Sequence, residues 1–182
     1  MDSLILLAAI DRALDEPVRE IELFTDPYYS PYYSLMYYLM KELAPDVCAL
    51  ELGVEKGRGL FSMAQAKTDH PIYGFDTHPT AEAGTVAEMF SNVHYEEHAA
   101  LPATTLPLPI GLLHVDTEHS YATAKAEFNG YKPQLAPGAV VLFDDTHAQE
   151  GGVLSFVRTL PYFKVFVDRL HPVCGYAVLL YE

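Results

Sequence analysis

From Asp46 to the end of the chain, short apolar runs alternate with segments of helical length, and this alternation constrains the fold most strongly. We predict strands at 47–51, 71–76, 93–97, 110–116 and 138–145, and helices at 59–67, 80–90, 120–134 and 150–160. Strands joined through helices can lie parallel, and parallel sheets are covered by helices on both faces. The sequence therefore predicts an α/β fold, closed by "FKVFVD" and "CGYAVLLYE" as an antiparallel pair.

The region before this alternation has a helical pattern instead, and we predict a helical cap at 1–45 that covers one edge of a core spanning 46–182. In "SPYYSLMYYLMKEL", Ser30 can cap a helix and Pro31 suits its first turn. Apolar residues recur there with the spacing of a buried helical face, at 32, 35, 36, 39, 40 and 43. A chain of 182 residues suffices for one domain, so cap and core are expected to form a single unit.

Charge and composition exclude several classes of partner. The formal net charge of −14 repels the phosphate backbone of nucleic acids, and the sequence has no basic cluster to offset it. The apolar stretch near the N-terminus is too short to span a bilayer and lacks the basic flank of a signal peptide. Cys48 and Cys174 lie in apolar, strand-like runs, which indicates buried thiols in a reducing compartment. We expect a cytoplasmic protein with neither a nucleic-acid nor a membrane partner.

Glycines and acidic residues follow the first two predicted strands, where ligands bind in parallel α/β sheets. In "ELGVEKGRG", Glu51 closes the strand, and Gly53 and Gly57 permit a tight turn close to a ligand. The spacing differs from the Gly-x-Gly-x-x-Gly of dinucleotide-binding proteins, and the Gly-Lys-Ser/Thr of a P-loop is missing. Asp76 follows about 20 residues later, where a carboxylate can accept hydrogen bonds from both hydroxyls of a ribose.

These two strand ends resemble motif I and the following acidic motif of class I S-adenosylmethionine-dependent methyltransferases, over about residues 46–180. The resemblance implies a Rossmann-like fold with a seven-stranded, mostly parallel sheet whose last strand is antiparallel. It also implies that S-adenosylmethionine is the cofactor, with its methionine part near Glu51, Gly53 and Gly57 and its ribose at Asp76. The adenine contact falls in "EEHAAL", where Glu97 and His98 are both candidates.

Two later strand ends carry acidic residues and a histidine. Asp116 ends one predicted strand, and Asp144 and Asp145 end the next helix-linked strand. If these strands are adjacent and parallel, the three carboxylates converge, and like charges at close range require compensation by a cation. Oxygen ligands favour Mg²⁺ or another divalent cation. His119, one helical turn beyond Asp116, is placed to accept the proton of a hydroxyl that the metal acidifies.

The pattern "HVDTEHSY" followed by "PGAVVLFDD" resembles a metal-dependent O-methyltransferase subgroup that includes sugar methyltransferases and cephalosporin hydroxylase-like proteins. In that subgroup an Asp-x-x-His and a later acidic pair hold the metal and the base. The sequence matches all four positions, at Asp116, His119, Asp144 and Asp145. Glu118 stays an alternative ligand and His147 an alternative base or substrate contact, while His119 as a helix-start residue and Asp144 as a helix cap are structural alternatives.

The sequence thus predicts a methyltransferase that modifies a hydroxyl of a small molecule, such as a sugar, a phenol or a hydroxy acid. Two alternatives stay open: a protein that binds S-adenosylmethionine for another activity, such as cofactor cleavage, and a non-catalytic binding subunit. "TDPYY" (25–29) resembles a motif of DNA amino-methyltransferases but lacks its second proline. The tyrosines at 28, 29, 32, 33, 37 and 38 are expected to pack a helix or contact the acceptor, and a homo-oligomer could complete the acceptor pocket.

Overall fold

The computed structural model describes residues 1–18, 30–66 and 69–182. Its helices are α1 (Ser3–Asp15), α2 (Ser30–Lys41), α3 (Arg58–Ala66), α4 (Ala81–Met89), α5 (Tyr121–Tyr131), a 3₁₀ turn (Lys132–Gln134) and α6 (Val153–Thr159). Its strands are β1 (Cys48–Leu52), β2 (Ile72–Asp76), β3 (Val93–Glu97), β4 (Ile110–Val115), β5 (Leu135–Phe143), β6 (Phe163–Phe166) and β7 (Ala177–Tyr181). The "TDPYY" segment lies outside these ranges.

The strands form one seven-stranded sheet in the order β3-β2-β1-β4-β5-β7-β6. The pairs among β1 to β5 are parallel, whereas β7 is antiparallel to both β5 and β6. β7 therefore runs against the other six strands, which confirms the predicted Rossmann-like sheet and its antiparallel closing pair. The order reverses between β1 and β4, and ligands of such sheets bind outside the carboxyl ends of the strands at this point.

The register of the central strands decides which side chains share a face near this point. Glu51 of β1 lies opposite His114 of β4, and His114 lies opposite Leu142 of β5. Side chains alternate along a strand, so Asp116 and Asp144, two residues beyond His114 and Leu142, point to the same face. Backbone hydrogen bonds from Asp116 N to Leu52 O (2.9 Å) and from Asp144 N to Val115 O (3.2 Å) extend the ladder this far.

Each face of the sheet has its own hydrophobic core. On one face, side chains of the central strands pack with α1, α2 and α3, through residues such as Leu6, Leu35, Leu39, Leu60, Leu112 and Leu142. On the other face, side chains of the same strands pack with α5 and α6, through Leu113, Phe128, Phe143 and Phe156. The N-terminal helices were expected to cover one edge of the sheet. They cover a face instead, because their apolar stripes bury the side chains of the central strands.

Local signals explain where several helices begin. Asp2 caps α1 by accepting hydrogen bonds from Leu4 N and Ile5 N, both at 2.9 Å. Thr80 and Ser120 cap α4 and α5 in the same manner. Within the described ranges, every helix is too short or too polar to cross a bilayer.

Candidate active site

A cavity of about 770 Å³ opens at the carboxyl ends of the central strands. Its volume lies within the range of small-molecule and cofactor sites. Seven predicted site residues line it: Gly53, Asp76, His98, Asp116, His119, Asp144 and Asp145. Sequence reasoning did not single out four further lining residues as site residues, namely Thr117, Glu127, His171 and Cys174. The predicted metal residues and three of the predicted cofactor residues thus border one common space, whereas Glu51 and Gly57 are not among its lining residues.

The turn after β1 requires glycine at its first position. Gly53 has φ +82°, and a Cβ there would lie 1.8 Å from the carbonyl oxygen of Asp116. The β1 turn therefore contacts the end of β4 backbone to backbone, which brings the two halves of the cavity together. Gly57 has φ +78° and packs on α4, where a Cβ would lie 2.9 Å from Ala83 Cα. Its position suits the packing of the loop on α4, and a direct contact between Gly57 and the cofactor stays a prediction.

Asp76 holds the β1 turn in place. Its Oδ2 accepts hydrogen bonds from Val54 N (2.9 Å) and Glu55 N (2.8 Å), and its Oδ1 accepts one from His78 N (2.8 Å). These bonds organise the loop before any ligand arrives. Asp76 Oδ1 accepts only one of these three hydrogen bonds. Because a carboxylate oxygen can accept two, Oδ1 can also accept a hydrogen bond from a ribose hydroxyl.

Glu51 lies beneath the loop and pairs with a histidine. Its Oε1 is 3.0 Å from His114 Nδ1, and both side chains are almost fully buried. A carboxylate can only accept, so His114 Nδ1 carries the proton of this bond. Burial raises the pKa of Glu51, although His114 lowers it. Burial lowers the pKa of His114, but the hydrogen bond and the charge of Glu51 outweigh this and leave that pKa raised.

His98 lies at the far side of the cavity, after β3. Its Nε2 is 3.1 Å from Thr104 Oγ1, its Nδ1 contacts Ala99 O, and its ring centroid is 5.1 Å from that of Phe75. The aromatic pair forms a wall that suits a planar ring. Contact between His98 and adenine stays a prediction, as does the alternative contact through Glu97.

His119 bridges two of the predicted carboxylates. Its Nε2 is 3.4 Å from Asp116 Oδ1, and its Nδ1 is 3.1 Å from Asp145 Oδ2. The hydrogen bond with Asp116 raises the pKa of His119, and the charge of Asp145 adds to this effect against the opposing influence of burial. Asp145 reaches this position because its backbone turns sharply at φ +51°. The structure therefore brings the predicted base and two predicted metal ligands together.

Asp144, the third predicted ligand, is buried and pairs with His171, which sequence reasoning missed. His171 Nδ1 lies 2.6 Å from Asp144 Oδ1 and 3.6 Å from Asp145 Oδ1. Burial lowers the pKa of His171, but the bond to Asp144 outweighs it and leaves that pKa raised. His171 belongs to the loop between β6 and β7, and hydrogen bonds from Thr146 N and His147 N to that loop fix it beside β5.

The carboxylates divide into two groups of potential metal ligands within the described parts of the chain. Asp116 and Asp144 converge with His114, and Asp145 converges with His171 and Cys174. In each group one ligand atom per residue lies within 4.8 Å of the others. The predicted set of three carboxylates is therefore spread over two adjacent clusters on one cavity wall, and each cluster contains a histidine.

Several secondary predictions also have a defined place. His147 is half exposed and lies 3.7 Å from Asp168, and Glu118 accepts a hydrogen bond from Thr123 Oγ1 at 3.1 Å. Cys48 is buried in β1 as predicted, whereas Cys174 precedes β7 and is partly exposed on the cavity. The prediction of a buried strand position is wrong for Cys174, because β7 begins three residues later, at Ala177.

Two further residues on the cavity wall belong to α2 and α5. Tyr32 of α2, one of the predicted tyrosines, is buried on it with its ring centroid 5.4 Å from that of His171. Glu127 of α5 is buried, and both its oxygens lie 2.8 Å from Thr117 Oγ1, which donates to them. Burial raises the pKa of Glu127 to about 7.

The chain is similar to known methyltransferase domains. Residues 50–146, more than half of the chain, match the family described as "Methyltransferase domain". A protein of Sinorhizobium fredii, named uncharacterized protein y4gI, is 49% identical over 43 residues, which are 24% of this chain and 5% of that protein. The chain thus matches only a small part of this curated relative.

Solved structures of methyltransferases share the fold. The O-methyltransferase TomG of Streptomyces achromogenes, in complex with S-adenosylmethionine, has a TM-score of 0.67 at 18% identity, with coverage of 100% of this chain and 91% of TomG. The N-methyltransferase NodS of Bradyrhizobium japonicum has a TM-score of 0.67 at 16% identity, with 97% and 98% covered. An O-methyltransferase of Bacillus cereus has a TM-score of 0.68 at 12% identity, with 100% and 92% covered.

Fold and family lead to the same assignment. The similar structures include both O- and N-methyltransferases, so the fold alone does not select the atom that receives the methyl group. The sheet order, the glycine turn at the switch point and the match over residues 50–146 agree with one another. The chain belongs to the methyltransferase-domain family and has the fold of class I S-adenosylmethionine-dependent methyltransferases.

Proposed function

We propose that this chain transfers the methyl group of S-adenosylmethionine to a hydroxyl oxygen of a small molecule, with a divalent cation such as Mg²⁺ held by Asp116, Asp144 and Asp145. His119 is the base that removes the hydroxyl proton. The observation that carries this proposal is the position of His119 between Asp116 and Asp145 on the wall of the cavity. A base beside a group of potential metal ligands can accept the proton of a hydroxyl that binds there.

The cofactor fits the part of the cavity next to the β1 turn. The turn needs a glycine at position 53 to come this close to β4, and Asp76 fixes the turn through two backbone amides. S-adenosylmethionine, when bound there, supplies an electrophilic methyl group. The contribution of the chain is to orient this donor and the acceptor toward each other, which removes much of the entropic barrier to reaction.

The carboxylates support the proposed cation. Asp116 and Asp144 place oxygens near each other, and burial raises the pKa of Asp116 although His119 and His114 oppose the shift. Oxygen-rich groups of this kind suit hard divalent cations. When bound there, such a cation would stabilise the charge of an ionised hydroxyl and lower its pKa.

His119 has one nitrogen that is better placed than the other to accept a proton. Its contact with Asp145 through Nδ1 is 3.1 Å, whereas its contact with Asp116 through Nε2 is 3.4 Å, near the limit of a hydrogen bond. Asp145 can therefore hold the imidazole and stabilise its charged form, while Nε2 takes the proton of the acceptor. Asp145 acts on the base in the manner of the acidic member of a catalytic triad.

The acceptor is proposed to be a small molecule and not a nucleic acid. The wall of the cavity carries several carboxylates, and the formal net charge of the chain is −14, so neutral or cationic hydroxyl compounds are favoured over phosphates. The buried Tyr32 offers an aromatic surface beside the carboxylates, which suits the ring of a sugar or a phenol. We also propose that the protein is cytoplasmic. A second subunit of a homo-oligomer could complete the acceptor pocket.

The test combines binding with turnover. S-adenosylhomocysteine is titrated calorimetrically with Mg²⁺ and with a chelator, and methyl transfer from labelled S-adenosylmethionine is then measured over a panel of sugars, phenols and hydroxy acids. The expected results are cofactor binding under both conditions and metal-dependent transfer to one hydroxyl class. Absence of cofactor binding would refute the methyltransferase function, and products of cofactor cleavage without transfer would favour the alternative activity.

The base is tested by a pair of histidine variants. His119→Ala is expected to keep cofactor and metal affinity and to lower turnover by about 10²- to 10⁴-fold, the usual contribution of a general base. His147→Ala is the matched control, because His147 is nearby in sequence but contacts the exposed Asp168. A larger loss of turnover in His147→Ala than in His119→Ala would assign the role of the base to His147.

A further inference from the structure

Three buried polar residues and the partly buried Asp116 lie in two adjacent rows on the face of the sheet that α2 and α3 cover. Glu51 and His114 are opposite each other in the β1–β4 register, and Asp116 and Asp144 stand one step further along their strands. Their neighbours on this face, among them Ala49, Leu112 and Leu142, belong to the core beneath α2 and α3. Polar side chains in such a place cost free energy unless each of them is paired.

Among the described residues, only one of the two ring nitrogens of His114 has a hydrogen-bond partner. Its Nδ1 bonds to Glu51 Oε1 at 3.0 Å, but its Nε2 is buried without a hydrogen-bond partner among the described residues. The hydroxyl of Tyr176, just before β7, is also buried and unpaired within the described ranges, and the two ring centroids are 6.1 Å apart. Unpaired polar groups on two neighbouring buried rings indicate a ligand that the protein chain itself does not provide.

The position of His114 identifies that ligand. One of its ring nitrogens and one oxygen from each of Asp116 and Asp144 lie within 4.8 Å of one another. Glu51 Oε1 holds Nδ1, so Nε2 is the ring nitrogen that stays available to a ligand. A buried neutral ligand atom beside two acidic ones suits a cation better than a water molecule, because a cation also compensates the charge of Asp116 and Asp144.

We propose that His114 Nε2 is a direct ligand of the divalent cation, together with Asp116 and Asp144, and that Glu51 orients the imidazole. This inference deepens the proposed function, since it rests on the same metal site and changes its ligand set. Histidine ligands of metals commonly donate their second N–H to a carboxylate, which fixes the tautomer and raises the basicity of the metal-binding nitrogen. The Glu51–His114 pair has this arrangement.

The ligand set favours a transition metal. Mg²⁺ prefers oxygen ligands, whereas imidazole nitrogen suits first-row transition metals such as Fe²⁺ and Zn²⁺, and Mn²⁺ is the weakest-binding member of that series. We therefore expect the chain to bind Mn²⁺ more tightly than Mg²⁺. Glu51 becomes a positioning residue in this arrangement, in contrast to its predicted contact with the methionine part of the cofactor.

The experiment measures metal binding directly on the full chain. Mn²⁺ is titrated by electron paramagnetic resonance into the wild type, His114→Gln and Asp116→Asn, and nitrogen coordination is detected from the ¹⁴N modulation of the Mn²⁺ echo. His70→Gln is the matched control, since His70 is also buried but bonds to Ala44 O, before β1. Affinity for S-adenosylhomocysteine in the presence of chelator reports on whether each variant is folded.

The wild type is expected to bind one Mn²⁺ and to show ¹⁴N modulation. His114→Gln should bind Mn²⁺ at least about 100-fold more weakly and lose that modulation, because loss of a direct ligand exceeds the 10- to 100-fold effect of an outer partner. His70→Gln should match the wild type. Mn²⁺ binding that Asp116→Asn abolishes and His114→Gln leaves unchanged would overturn this inference and keep the carboxylate site of the proposed function. Failure of the wild type to bind Mn²⁺ or Mg²⁺ would overturn both.

Glu51→Gln keeps the inference testable if His114→Gln does not fold. The substitution leaves His114 in place but weakens its hydrogen-bonded partner. We expect Mn²⁺ affinity to fall about 10- to 100-fold with unchanged S-adenosylhomocysteine affinity. The opposite pattern, weaker S-adenosylhomocysteine binding with unchanged Mn²⁺ affinity, would assign Glu51 to the cofactor and overturn its positioning role.

Discussion

The cavity has two sides that meet at Gly53, and the carboxylates of the two sides have different kinds of partner. The cofactor side is formed by Gly53, Val54, Glu55 and Asp76, and the carboxylate side by Asp116, His119, Asp144, Asp145 and His171. On the cofactor side, the Asp76 carboxylate receives three backbone N–H groups and organises the loop. On the carboxylate side, acidic groups face one another and histidines, and removal from water raises the pKa of Asp116.

The contrast indicates that the chain itself preorganises the first side, whereas the second side depends on compensation of its charges, by the proposed cation or by protonated histidines. Backbone donors aimed at one carboxylate are a stable arrangement without any ligand. Clustered carboxylates become stable when a cation or protonated histidines compensate their charge. Substitutions on one side should therefore change affinity for one ligand and leave the other nearly unchanged.

The largest effect is expected from Asp116→Asn. The change keeps the shape of the side chain but removes a negative charge from the carboxylate side, so affinity for a divalent cation should fall more than about 100-fold and metal-dependent turnover should be lost. Affinity for S-adenosylhomocysteine, measured by calorimetry with chelator, should stay within about threefold, since Asp116 is not among the residues that hold the β1 turn.

Asp11→Asn on the exposed surface of α1 is the control for this charge change. Parallel loss of both affinities in Asp116→Asn, with the control unaffected, would show that the two sides are not separable.

The converse effect is expected from Asp76→Ala. Loss of the carboxylate leaves the N–H groups of Val54 and Glu55 without their acceptor, at a cost of about 1 to 3 kcal/mol for the loop conformation. S-adenosylhomocysteine affinity should fall about 10- to 100-fold, while Mn²⁺ affinity of the same sample stays constant. Unchanged cofactor affinity would mean that this loop does not hold the cofactor.

The two sides also differ in how far the sequence predicted them. Strand ends are recognisable from the switch between apolar runs and polar residues, so Asp76, Asp116 and Asp144 could be placed on one cavity from the sequence alone. The Glu51–His114 pair was not predicted, because it depends on the register of β1 against β4, strands whose residues are about 60 positions apart. His171 was missed for a similar reason. It lies on a loop without a motif, and only the pairing of β7 with β5 brings that loop to Asp144.

Gly53→Ala should disturb both sides at once, because Gly53 is where they touch. A Cβ there would lie 1.8 Å from Asp116 O, and the backbone has φ +82°, so the free energy of unfolding should fall by about 2 kcal/mol or more. Affinity for the cofactor and affinity for the metal should weaken together.

Gly84→Ala is the matched control. Nothing lies within 4 Å of the added Cβ, and alanine in a helix should stabilise the folded chain by up to about 1 kcal/mol. The free energies of unfolding of Gly53→Ala and Gly84→Ala, measured in urea, show whether the backbone contact between Gly53 and Asp116 is tight.

The effect that is confined to a change of pH concerns Glu127, a buried carboxyl on the cavity wall that neither proposed ligand site uses. Burial raises its pKa from 4.5 to about 7, although the hydroxyl of Thr117 opposes the shift. The folded chain therefore binds more protons than the unfolded chain between pH 4.5 and pH 7. Its contribution to stability is complete below pH 4.5 and is lost as the pH rises toward 7.

Glu127→Gln isolates this contribution from the other titrating groups. Glutamine can still accept the hydrogen bond from Thr117 but does not ionise, so the variant should lose one component of the pH dependence of the wild type. The free energy of unfolding, measured by urea at intervals from pH 4.5 to pH 7.5, should fall more steeply in the wild type, by on the order of 1 to 3 kcal/mol across the range. Equal slopes in both proteins would place the ionised carboxylate in the folded state. Glu127 would then belong with the charged groups of the carboxylate side.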